Sequence, residues 1–66
     1  MAPLARQYAV ALELVLALED VYREECSSDE HAEALFDRAH YLISKQRDLR
    51  EIGKIVLALC DLLEVI

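Results

Sequence analysis

Residues 8–22 read YAVALELVLALEDVY, with Glu13 the only charge before the Glu19–Asp20 pair. No other stretch restricts the fold as strongly. Its apolar residues recur every three or four positions, the period of a helix and not of a strand. They also cover most of the helical cylinder. Tyr8, Ala11, Val15, Leu18 and Tyr22, preceded by Leu4, make one heptad-spaced seam. Ala5, Ala9, Leu12 and Leu16 make a second, roughly 100° round. Val10, Leu14, Ala17 and Val21 fill the other flank, so Arg6, Glu13, Asp20 and Glu24 are left as a narrow polar strip. A helix of this kind needs cover over most of its circumference.

The remainder of the chain is helical in period too. Its 66 residues include one Gly and one Pro, and Pro3 suits the first turn of a helix. The first helix is expected from Pro3 to Glu25. Ser27 and Glu30 have the spacing of a capping box, which starts the second helix. That pattern fades at SKQRD, and Asp48 with Glu51 repeats the spacing ahead of a third helix from Leu49 to the C-terminus. Turns this short make successive helices antiparallel. The expected fold is therefore all-α, a single helical domain over residues 1–66 built as an up-down-up three-helix bundle. Helix two turns Ala32, Leu35, Phe36, Ala39, Leu42 and Ile43 inward. Helix three turns in Ile52, Val56, Leu59, Leu63 and Ile66, with Ile55 and Leu62 beside them, while Leu57 stands alone on its polar side.

Two short helices cannot cover the whole apolar girth of the first. A chain this small also buries only roughly 60% of its unfolded surface. Burial then offsets the cost of ordering the chain with little to spare. Self-association through helix one follows as the expectation, most simply a homodimer of six helices. Tyr8, Leu12, Val15 and Leu16 are the expected interface residues.

Charge and chemistry narrow the function. The chain carries 13 acids against 7 bases, a net charge of −6. That balance disfavours anionic membranes and nonspecific nucleic-acid binding. The acids gather at one pole of the expected bundle, with Glu24, Glu25, Asp29 and Glu30 as the core of a surface that suits a basic protein partner. Lys45, Arg47, Arg50 and Lys54 stand at the other pole. Arg47, Arg50 and Lys54 would be the contacts of the competing reading, a dimeric nucleic-acid-binding regulator that uses helix three. Glu33, Asp37, His40 and Ser44 share a face of helix two, but that face points away from the apolar one, so a solvated surface is expected there and no metal site. The serines read as caps or surface residues, Cys60 as a small apolar filler. Cys26 and Cys60 are expected as reduced thiols of a cytoplasmic protein, with no cofactor. Together these features predict a non-catalytic helical protein–protein interaction module.

Overall fold

The computed structural model describes residues 3–25 and 28–64, and these form three helices. They are α1 (Pro3–Glu25), α2 (Glu30–Lys45) and α3 (Leu49–Leu63). Each helix packs on both others in a rod of 40 × 18 × 15 Å. Side-chain pairs fix the directions. Tyr22 and Glu19 of α1 meet Glu33 and His40 of α2, and Arg38 of α2 meets Glu51 of α3, so both successive pairs are antiparallel. Among the described residues there is no strand. No described helix is long and apolar enough to cross a membrane.

The heptad seam of α1 is the seam that α2 and α3 cover. Tyr8, Ala11, Val15, Leu18 and Tyr22 are all buried, Val15 with no exposed surface. From α2 come Ala32, Phe36, Ala39, Leu42 and Ile43, with Leu35 half-buried. From α3 come Ile52, Ile55, Leu59 and Leu63, with Val56 and Leu62 half-buried beside them. Leu4 and Ile66, also expected inside, lie outside the residues whose side chains are described.

The helix ends are set by specific polar contacts. Asp29, not Ser27, caps α2: its Oδ1 accepts the N–H groups of His31 at 2.9 Å and Ala32 at 3.2 Å. Ser27 lies outside the described residues. The reason the cap moves is that Asp29 is also held from α1. Its own N–H donates to the Tyr22 hydroxyl at 2.8 Å, and that hydroxyl donates to Glu33 Oε2 at 3.0 Å. One phenol thus ties the end of α1 to the first turn of α2. At the other end, α2 stops in a Schellman turn: Gln46 N–H reaches Ile43 O and Arg47 N–H reaches Leu42 O. The turn puts Gln46 at φ 53, a left-handed position where glycine is usual. Asp48 then caps α3 by accepting Glu51 N–H at 3.1 Å. The Glu51 side chain does not complete a capping box, because Arg38 takes it at 3.0 Å.

The Tyr22 tie predicts a measurable pH effect. Burial raises the phenol above its ordinary value; the Asp29 backbone bond opposes this and the Glu33 carboxylate adds to it. A raised folded-state value favours the native state below the unfolded phenol pKa of about 10, and that advantage is lost as pH climbs through the folded value. Tyr22→Phe should lower the melting temperature by roughly 5–10 °C at neutral pH, since Asp29 N–H loses its partner. The gap to wild type should then narrow in alkaline solution. A melting series from pH 7 to 11 that keeps the gap constant would contradict this account.

Candidate interaction groove

An open groove of about 700 Å³ lies between α1 and α3. From α1 it takes Val10, Ala11 and Leu14. From α3 it takes Leu49, Ile52, Gly53, Val56 and Leu57. Three of these are large side chains left in the open: Val10 is 50% exposed, Leu14 49% and Leu57 66%. The groove is open at Gly53, where a Cβ would have no neighbour within 4 Å. Arg6, Arg50 and Lys54 line one end.

Of the four expected interface residues, two are placed elsewhere. Tyr8 and Val15 belong to the chain's own core and offer a partner almost no surface. Their seam is the one that α2 and α3 need, so it is already used. Leu12 is half-buried against the core on the side of α1 that faces α2, the side where Glu19 meets His40 at 3.2 Å. Leu16 does stay outside, 47% exposed. Val10 and Leu14 on the other flank are about as open as Leu16, and there Leu57 of α3 lines the same groove. The sequence signal for this flank was present, in the Val10-Leu14-Ala17-Val21 ladder and in the solitary Leu57.

The charged residues are spread over different surfaces. Glu24, Glu25 and Glu30 are exposed around the α1–α2 turn, whereas Asp29 has its carboxylate engaged as a cap. Arg50 and Lys54 belong to the apolar groove, while Arg47 lines a separate polar hollow with Arg38, Tyr41 and Asp48. All three cations named for nucleic acid are exposed. Arg6, from the first helix, is the base that joins Arg50 and Lys54. On α2, the Glu33–Ser44 face is divided among separate contacts: Glu33 serves Tyr22, His40 serves Glu19, and the Ser44 hydroxyl donates to Tyr41 O at 2.9 Å. Among the described residues no three His, Cys, Asp or Glu side chains are gathered in a way that could hold a metal ion. Cys60 is a half-buried free thiol, and Cys26 lies outside the described residues.

Fold and groove define the class: an all-α three-helix bundle with an open, charge-bordered apolar face between its first and third helices. No family model matches the chain, and comparison with curated proteins and with solved structures finds no match.

Proposed function

We propose that this chain is a non-catalytic helical protein–protein interaction module that self-associates through α1. The observation that supports the reading is the groove beside α1, where Val10, Leu14 and Leu57 remain about half exposed or more after the chain has folded. Covering such residues removes apolar surface from water at about 25 cal/mol per Å². A small bundle with little stability to spare gains most from it.

Light scattering with sedimentation equilibrium tests this. Wild type should weigh about twice the 7.5 kDa chain at micromolar concentration. Leu14→Asp with Leu57→Asp should return the mass to that of one chain and keep the helical circular dichroism, because both side chains already face solvent. Leu16→Asp, on the flank nearer α2, should leave the mass unchanged. A wild type that stays at the mass of one chain over the accessible concentration range removes the proposal.

A further inference from the structure

We infer that the partner on the α1–α3 face is a second copy of this chain, bound antiparallel about a two-fold axis that crosses the groove near Leu57. The inference rests on the self-association proposed above and adds the surface and the orientation. Charge complementarity along that face carries it. In helical steps of three and four, α1 presents Arg6, Val10, Leu14, Ala17, Val21 and Glu24. The same steps on α3 present Arg50, Lys54, Leu57, Asp61 and Glu64. Both ladders run from base through apolar residues to acid, and α1 and α3 run the same way along the rod, since Arg6 and Arg50 share one end of the groove. The six charged residues are exposed. The face is thus basic at one end, acidic at the other and apolar between.

A parallel pair would set base against base and acid against acid. An antiparallel pair sets each basic end against the partner's acidic end, twice over. The register fits as well. Leu57 stands midway between Arg50 and Glu64 in the sequence, each about 10 Å away along the helix. Rotation about an axis at Leu57 therefore brings Arg50 opposite Glu64 of the other copy. A side of the rod measuring 40 × 18 Å matches the roughly 800 Å² per partner that stable interfaces bury.

Two experiments test the orientation apart from the association. In a Cys26→Ala, Cys60→Ala background, Arg50→Cys and Glu64→Cys chains are mixed and mildly oxidised. The expected product is the mixed disulfide between positions 50 and 64, with little 50–50 product. In the second, Arg50→Glu with Lys54→Glu should raise the dimer Kd about tenfold. Adding Asp61→Lys with Glu64→Lys to the same chain should bring it back to within about threefold of wild type. Lys45→Glu with Arg47→Glu shifts net charge equally at the same end but off this face, and should change Kd far less. Arg50→Glu and Lys54→Glu lie near the α3 N-terminus and Asp61→Lys and Glu64→Lys near its C-terminus, where the helix dipole favours each charge. A dimer that forms 50–50 disulfides, or that ignores both reversals, overturns the orientation and leaves self-association standing. A chain that never dimerises overturns both.

Discussion

Val15→Asp is expected to abolish the cooperative helical fold at 25 °C, while Leu16→Asp, one residue further on, leaves it intact. Val15 has no exposed surface and belongs to the hydrophobic core cluster of the bundle. A carboxylate there would lose its water. Even after relaxation or protonation the cost is several kcal/mol, to which the lost burial of the valine adds about 2 kcal/mol. Globular chains keep roughly 0.05–0.15 kcal/mol of stability per residue, which at this length is about 3–10 kcal/mol. One substitution therefore consumes most or all of it. Leu16 faces solvent and should shift the melting temperature by only a few degrees. Circular dichroism of the two variants decides the matter, and a folded Val15→Asp would mean that the α1 seam is not the core.

Leu59→Ala should be nearly as severe by a different route. Leu59, also without exposed surface, comes from the middle of α3, where it fills space between the other two helices. Removing its methyl groups costs the transfer free energy plus a cavity term, 2–5 kcal/mol in all for a site of this kind. That corresponds to a fall of at least roughly 10 °C in melting temperature for a domain this small. Leu59→Met, which conserves volume, should recover most of the loss. A thermal melt within a few degrees of wild type for Leu59→Ala would show that the three helices close over the gap, or that they were never tightly packed there. Because the proposed dimer couples folding to mass action, both variants are compared with wild type at one fixed concentration.

The fold was readable because a helix announces its buried stripe by period alone. The α1 heptad, the α2 stripe from Ala32 to Ile43 and the α3 stripe from Ile52 to Leu63 match the buried residues closely. Two things were not readable in that way. The first is the cap of α2, where Ser27 and Asp29 both have suitable side chains; Tyr22, seven positions upstream, decides it by gripping the Asp29 N–H. The second is which outer flank of α1 stays open. A sequence gives the angle between Leu12 and Leu14 around the helix, but not the hand of the bundle, and so not which flank α2 will shade. Here Leu12 is half-buried against the core on the flank where Glu19 meets His40 of α2, and Val10 and Leu14 line the open groove beside α3. Tyr8 and Val15 lie in the core because they belong to the strongest apolar seam of α1, and the strongest seam goes first to the chain's own helices. Arg6 lines the groove with Arg50 and Lys54 but is far from them in sequence, so spacing along the chain does not group the three.

Gly53 carries one more consequence. Its backbone is ordinary helix and a methyl group there would meet nothing, so neither sterics nor dihedral angle demands a glycine. Alanine is favoured over glycine in a helix interior by about 1 kcal/mol. At that residue the isolated rod forgoes rigidity that its geometry would permit. The bare backbone it leaves gives the channel a floor into which another side chain can settle more deeply.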